Sequence, residues 1–524
     1  MTAFELDGVA VETSDEGSLL DALRDELGAT WVKDGCSPQG QCGSCTVLVD
    51  GQPRIACVIA VRRVAGRSVT TVRGLPTSVI EPLAAAFDAV AASQCGFCSA
   101  GICTRLSVVL AAEATEFEVR QALAAHQCRC TGWQPIVDAA MAVRAGADLE
   151  PRDPDAASAR ALLEGGVPQR SGTAVPQGQF PYAADQAVGA LRAVGAVGAE
   201  TLVEDHRAWR AAQHPGRATT LPAAHPLAID GDYDLVLETG WTDPAYVEPD
   251  AAVGLPDGTV IGPDTNGGAF GAKSGAAAAS AQRLATEAGR AVLVAWSREE
   301  VAQRVAKRPP LALGLRRDGT GLLVLPAHLG EAERLEAEAL VAALSPGIAV
   351  RWQPVIGPPV SLSPRGAIWA EVAAALAVLG AEETELPSIA VEGPLGGEVR
   401  VSAQRDGSLV VEADAGDPLC AATLRSYLCG AVHHGLSMVL SESIALDATG
   451  VVADRTLRSA KVLPARATPE LSVVLAASSG PPVPVGAAAM AAAMAVAWSL
   501  EGRPRRWPTR SAPPRSTPLW SWED

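Results

Sequence analysis

The stretch Asp34–Gly51, DGCSPQGQCGSCTVLVDG, crowds Cys36, Cys42 and Cys45 into a glycine-rich loop that runs into an alternating apolar strand, and Cys57 follows that strand. Gly35, Gly40 and Gly43 suit such a loop, because wrapping backbone amides around a sulfide-rich anion takes positive φ and close main-chain approach. Downstream, SQCGFCSAGICTRLSVVL (93–110) and HQCRCTGWQPIVDAAM (126–141) each open with a cysteine pair and continue as an apolar helical pattern. Cys95 and Cys98 stand at one helix start and Cys128 and Cys130 at the other, where the dipole and unpaired amides favour thiolates. A single CxxC reads as a zinc half-site, a redox dithiol or a pair of iron–sulfur ligands. Eight cysteines in this order read as two four-thiolate sites for [2Fe–2S] clusters. Cys103, on an apolar helical face, reads as a core thiol.

The bulk properties bound what else the chain does. Its 524 residues are enough for three or four domains, so one cofactor motif does not account for the whole. A net charge of −17, from 42 basic and 59 acidic side chains, repels phosphate backbones and anionic membrane surfaces, which argues against a nucleic-acid partner. Met1–Val11 carries Glu5 and Asp7 and shows neither a basic leader nor an apolar run, and the longest apolar stretch, Ala487–Trp498, is too short to span a bilayer and reads as a buried helix. Eleven cysteines, nine of them before residue 131, fit a reducing, cytoplasmic setting better than disulfides do.

The first cysteine set is close to the plant-type ferredoxin layout, C-x4-C-x2-C with a distant fourth cysteine, except that five residues, Ser37–Gln41, fill the first gap. GQCGSCTVLVDG, QCGFCSAGI and CRCTGW together resemble the iron–sulfur unit of the xanthine dehydrogenase, or molybdenum hydroxylase, family. That resemblance implies an α+β multidomain chain: a β-grasp ferredoxin domain over 1–76, a four-helix [2Fe–2S] domain over 77–145, then an α/β region related to the molybdopterin-binding subunit. The Pro-, Gly- and Ala-rich segment 146–180 is expected to be a linker.

Beyond the linker, DYDLVLETGWTDPAYVEPDAAV, DTNGGAFGAKSG, GRAVLVAWSREEVAQRVAKRPP, PRGAIWAE around Arg365 and DAGDPLCAATLRSYLCGAVHHGLSMVLSES from Asp414 resemble the large molybdopterin subunit in order, though patchily. Two parts are expected, 181–320 and a degenerate 321–510, followed by a tail, 511–524, whose Trp520 and Trp522 suit docking on another subunit. DTNGGAFGAKSG lacks the G-K-[ST] of a phosphate loop, because Ala272 separates Gly271 from Lys273. By the resemblance, Phe270 and Gly271 lie near the molybdenum cofactor, as does Gln94 beside the first helical ligand. Ala269 and Ala272 stand where the family has glycines and would crowd a cofactor.

The family places a catalytic carboxylate in a G-x-G-E string before its last helices, and here Leu471–Leu500 contains no acidic residue. Activating a metal-bound hydroxyl takes a general base, which Ser, Pro and Ala do not provide. The central pterin-binding motifs are missing as well. His433 and His434, after an apolar run, read as packing residues, and Cys420 and Cys429 as buried thiols. No strand–G-x-G-x-x-G–helix unit marks a flavin site.

These readings converge on an electron-transfer subunit. By resemblance, electrons from a partner's molybdenum centre would pass through the cluster of Cys95, Cys98, Cys128 and Cys130, then that of Cys36, Cys42, Cys45 and Cys57, then to flavin or another acceptor. The partners implied are a catalytic molybdopterin subunit and an FAD subunit, with molybdopterin not bound by this chain alone. Two alternatives stand beside this: a self-sufficient hydroxylase of reduced size using Glu371 or Glu248 as its base, and a non-catalytic redox sensor or assembly protein.

Overall fold

The computed structural model describes residues 1–187, 189–194, 200–204, 222–262, 268–273 and 275–520. At the N-terminus β1 (Thr2–Leu6) and β2 (Val9–Thr13) form a hairpin, and the short helix α1 (Leu19–Asp21) starts at a capping box between Ser18 and Asp21. β3 (Thr46–Val49), β4 (Gln52–Ile55) and β5 (Ser68–Thr70) complete a five-stranded sheet in the order β2-β1-β5-β3-β4. Its one parallel pair, β1 with β5, lies among antiparallel neighbours, the mixed arrangement of a β-grasp fold. Alternation in TAFEL turns Phe4 and Leu6 inward against Leu19, Leu20, Leu23, Val47 and Val69.

Four helices follow: α2 (Thr77–Ala89), α3 (Ser99–Leu110), α4 (Glu116–Ala122) and α5 (Gln134–Arg144). Leu83, Phe87, Ile102, Leu106, Val119 and Ile136 close their core. Segment 146–180, expected to be a linker, instead carries α6 (Pro154–Gly165). Asp153 caps it, Pro154 opens it, and Gly166 in the left-handed region stops it. Its inward stripe is Ala157, Arg160 and Ala161, too small and too polar to announce a helix by hydrophobic period.

The remainder builds three more sheets. β6 (Leu191–Val194), β7 (Thr201–Val203), β9 (Ala251–Gly254), β10 (Val260–Ile261) and β11 (Val292–Ala295) pair in the order β10-β9-β11-β6-β7, with α7 (Ala276–Ala288) packed on them. β8 (Leu235–Thr239), β12 (Ala312–Leu315), β13 (Gly321–Pro326), β14 (Ile348–Gln353) and β19 (Arg506–Trp507) pair in the order β14-β13-β12-β8-β19. The division expected at residue 320 therefore falls inside the β12–β13 hairpin, and the two parts share a sheet. The last sheet is β15 (Ser388–Glu392), β16 (Glu398–Ala403), β17 (Leu409–Asp414) and β18 (Leu471–Leu475).

The helices of this half are α8 (Arg298–Arg304), α9 (Glu331–Leu344), α10 (Trp369–Gly380), α11 (Ala421–Leu440) and α12 (Gly486–Leu500). α11 and α12 are apolar nearly all round and form the centre of the largest core. Among the described residues no helix is long and apolar enough to cross a membrane. The C-terminal segment packs on its own chain rather than standing free for a partner: Trp520 joins the largest core and donates its Nε1 proton to Glu501 Oε1 at 2.8 Å. Trp522 lies outside the described residues.

Candidate iron–sulfur sites and the cavity beside them

The loop between α1 and β3 gathers the first cysteine set. Ser37, Gly40 and Gly43 take φ of 67°, 68° and 73°, which bends the chain around Cys36, Cys42 and Cys45. Cys36, Cys42 and Cys45 are buried, and Cys57 reaches them from the far end of β4. The Gln39 amide donates to Cys36 Sγ at 3.2 Å, the kind of amide–sulfur bond that favours a thiolate. Sulfur contacts with Cys42 and Cys57 hold the Cys36 thiol well below its usual range, and Cys42 and Cys57 are pushed up in turn.

The second set stands at two helix starts. Cys98 is the residue before α3, and Cys128 and Cys130 lie just before α5, with Trp133 at φ 71° turning the chain into the helix. Cys95 Sγ and Cys130 Sγ are 3.6 Å apart. Contacts from Cys130 and Cys98 lower Cys128, which also has Thr131 Oγ1 at 3.2 Å, while Cys98 and Cys130 are raised. Among the described residues no group of three or more His, Cys, Asp or Glu side chains closes on a single-ion site. A cluster spreads its four thiolates over two irons, so two buried four-cysteine sets fit [2Fe–2S] better than zinc. Cys103 is fully buried on α3 among the apolar side chains of the helical core, and burial raises it.

The two sites touch. A Cβ on Gly101 of α3 would lie 2.7 Å from Gly43 O, and one on Gly43 would lie 2.6 Å from the His126 ring. The Gln127 amide donates to Cys42 O at 2.9 Å, and burial takes His126 down to about 4, leaving a neutral imidazole between the loops.

The helical set is also closed by the second half of the chain. Gly430 of α11 meets the 128–130 loop so tightly that a Cβ there would lie 1.9 Å from Cys130 O. Gln94, expected to face a cofactor, donates its Nε2 protons to Cys130 O and to Ser426 Oγ of α11, both at 3.0 Å. His434 Nε2 bonds Arg129 O at 2.8 Å, and a buried Arg129–Glu442 pair, 2.6 Å between Nη2 and Oε2, ties the loop to the end of α11. His433 and His434 are buried packing residues, as is Cys429, whereas Cys420 is only half-buried at the start of α11.

Beside the helical set lies a cavity of about 40 Å³ walled by Arg129, Phe270, Arg365, His434, Met438 and Met490, among others. Phe270 lies across Arg365, edge-on to Tyr427 and His434, and Gly271 abuts Ser363 O, where a Cβ would come to 1.9 Å. Small-molecule and cofactor pockets run to roughly 300 Å³ or more. This cavity is well below that size.

The carboxylates considered as bases are held by cations: Glu371 by Arg308, with Nη2 to Oε2 at 2.7 Å, and Glu248 by Lys273 at 3.4 Å. A residue that sequence reasoning missed, Glu164 of α6, accepts from the amides of Val485 at 3.1 Å and Gly486 at 2.9 Å. A carboxylate therefore does sit at the start of α12, where the family's acid is expected, but it comes from the supposed linker and accepts from Arg160 at 2.8 Å. Only its place in the fold reveals it.

Comparison with known proteins settles the family. Residues 4–62 match the model of a 2Fe-2S iron-sulfur cluster binding domain and residues 71–141 that of a [2Fe-2S] binding domain. The nicotine 6-hydroxylase small subunit of Paenarthrobacter nicotinovorans is 40% identical over 135 residues, 25% of this chain and 80% of that subunit. The chain belongs to the molybdenum hydroxylase family. Another relative is the gamma subunit of caffeine dehydrogenase from a Pseudomonas species, 36% identical over 146 residues, 26% of this chain and 87% of that subunit. The aldehyde oxidoreductase of Megalodesulfovibrio gigas is 42% identical over 132 residues, but these are 24% of this chain and 14% of that relative. A solved structure, the aldehyde oxidoreductase from Desulfovibrio gigas, aligns over 97% of this chain and 99% of its own with a TM-score of 0.71 at 16% identity. At that identity the likeness is one of fold. Within the family, this chain thus carries two [2Fe–2S] domains and an α+β fold that runs on through the second half.

Proposed function

We propose that this chain is the electron-transfer component of a cytoplasmic molybdenum hydroxylase complex, with Cys36, Cys42, Cys45 and Cys57 holding one [2Fe–2S] cluster and Cys95, Cys98, Cys128 and Cys130 the other. The observation that carries the reading is the pair of buried four-cysteine sets joined through Gly43, Gly101 and His126. When bound, such clusters accept and release single electrons at potentials set by thiolate charge, amide–sulfur bonds and burial. The chain's own part is to shape and dry the two sites: Gln39 donates to Cys36, while Gln94, Gly430 and His434 pin the Cys128–Cys130 loop.

The surroundings suggest a direction. The Cys128–Cys130 loop is covered by α11, whereas Val58, next to Cys57, is 65% exposed. A partner's molybdenum centre is then the donor to the helical side and a flavin or other acceptor is served from the Cys57 side. Residues 181–510 act as scaffold, because the cavity is small and Glu371 and Glu248 are paired. The full-length likeness of fold favours a second reading, a self-sufficient hydroxylase.

The test is reduction by substrate. Purified chain mixed with a co-purified hydroxylase partner should show both clusters reduced by that partner's substrate, followed by electron paramagnetic resonance, and the chain alone should show neither. Substrate-driven reduction of the chain alone would establish the second reading.

A further inference from the structure

Side chains of the loop between Cys36 and Cys42 reach out of the ferredoxin-like unit and are taken up by the second half of the chain. Ser37 Oγ accepts from the Arg298 amide, at the start of α8, at 3.0 Å. Gln39 is held at both ends of its side-chain amide: Oε1 accepts from the Leu457 amide at 2.9 Å, and Nε2 donates to Glu299 Oε1. Gln41 Oε1 accepts from the Arg458 amide at 2.7 Å. Leu457 and Arg458 open the single turn Leu457–Ala460, and the first amides of such a turn find no acceptor within it. Two glutamines, 418 and 417 residues away, supply the acceptors.

The same two glutamines serve the sulfur through their backbone. The Gln39 amide donates to Cys36 Sγ at 3.2 Å. Sulfur contacts with Cys42 and Cys57 lead in holding the Cys36 thiol down, and the amides of Gln41 and Gln39 add to them. Residues 36–42 lie in no helix or strand, so no ladder of backbone bonds aims these amides, and the side-chain grips do. The grip is firm on the Glu299 side: Glu299 is buried on α8, whose first residue, Arg298, pairs with the buried Asp243 at 2.8 Å. An amide that points at a ligand sulfur stabilises the more negative, reduced form of a cluster and raises its potential.

We propose that the second half of the chain sets the potential of the loop cluster, with Gln39 as the positioning residue: Glu299 and the Leu457 amide hold its side chain so that its own amide stays on Cys36 Sγ. Residues 181–510 then tune the relay as well as support it. This role rests on the reading of Cys36, Cys42, Cys45 and Cys57 as ligands of a [2Fe–2S] cluster, and it needs no particular partner or substrate.

The experiment is a reductive titration of the full-length chain with dithionite, followed by low-temperature electron paramagnetic resonance, which reads the potential of each cluster separately. Gln39→Ala loses both grips and should shift the reduction equilibrium of the loop cluster about tenfold toward the oxidised form, about 59 mV, with the helical cluster unmoved. Glu299→Ala and Glu299→Gln both remove a charge, but only glutamine keeps an acceptor for Gln39 Nε2. The alanine variant should therefore lie about threefold further toward the oxidised form than the glutamine variant. Iron content and circular dichroism report folding, and if Gln39→Ala does not assemble the loop cluster, the pair of Glu299 variants decides. Equal loop-cluster potentials in wild type and Gln39→Ala, equal potentials in the two Glu299 variants, or a shift of both clusters together would each overturn the proposal. A wild-type chain that shows the helical signal alone would instead overturn the ligand reading, and the role of Gln39 with it.

Discussion

Cys128 and Asp243 show how single residues divide the work between cofactor and fold. Cys130 and Cys98 hold the Cys128 thiol well below its usual range. Cys128→Ser should remove one of two cluster signals in electron paramagnetic resonance and cut iron from about four to about two per chain. The same change at Cys103, a core thiol, should leave both signals intact. Asp243 is fully buried; burial opposes its ionisation, yet Arg298 and Lys307 hold it at about 2. The folded carboxyl lies below its unfolded value, so its contribution is complete above about pH 4 and is lost as the pH falls toward 2, about 2 kcal/mol in all. Asp243→Asn strands both cations, and urea denaturation at neutral pH should show a loss of about 3–5 kcal/mol, with the variant's stability falling less steeply below pH 4 than that of the wild type.

Helices meet the cluster loops through glycine. Gly430 lets α11 lie against Cys130, and Gly132, at φ 62°, faces Cys429 O, where a Cβ would come to 2.2 Å. Gly430→Ala should therefore disturb the helical cluster signal and spare the loop cluster, a selective loss visible in the low-temperature spectrum. The starts of α3 and α5 were legible in the sequence because cysteine spacing and apolar period coincide there, while the count of four helices came from the family resemblance. α6 was not: its buried stripe is two alanines and an arginine, and its partners, Val483 and the start of α12, lie more than 300 residues away. The same distance hid Glu164, a residue whose role comes from where the chain folds back. A tryptophan in a polar tail suggests a partner's surface, whereas Trp520 is received by Glu501 and the largest core of its own chain.

At the scale of the molecule, the ferredoxin-like and helical units do not stand apart from the rest. Arg129–Glu442, Arg152–Asp88 with Thr423, and Arg425–Asp138 tie the helical unit to α11 and its ends, and in the ferredoxin-like unit Gln39 and Gln41 accept from the amides of Leu457 and Arg458. The sequence marked a division at residue 320, but β12 and β13 pair across it, since strand pairing depends on neighbours that composition does not name. What the sequence carried well was the order of the two iron–sulfur units. The central claim is that this chain holds iron for two clusters and serves a molybdenum enzyme without holding molybdenum itself. Metal analysis with electron paramagnetic resonance, on the protein purified alone and with its partners, tests it most directly. The account predicts about four irons per chain, two distinct reduced [2Fe–2S] signals, and molybdenum only in preparations containing a second, larger subunit. One molybdenum per isolated chain would contradict it.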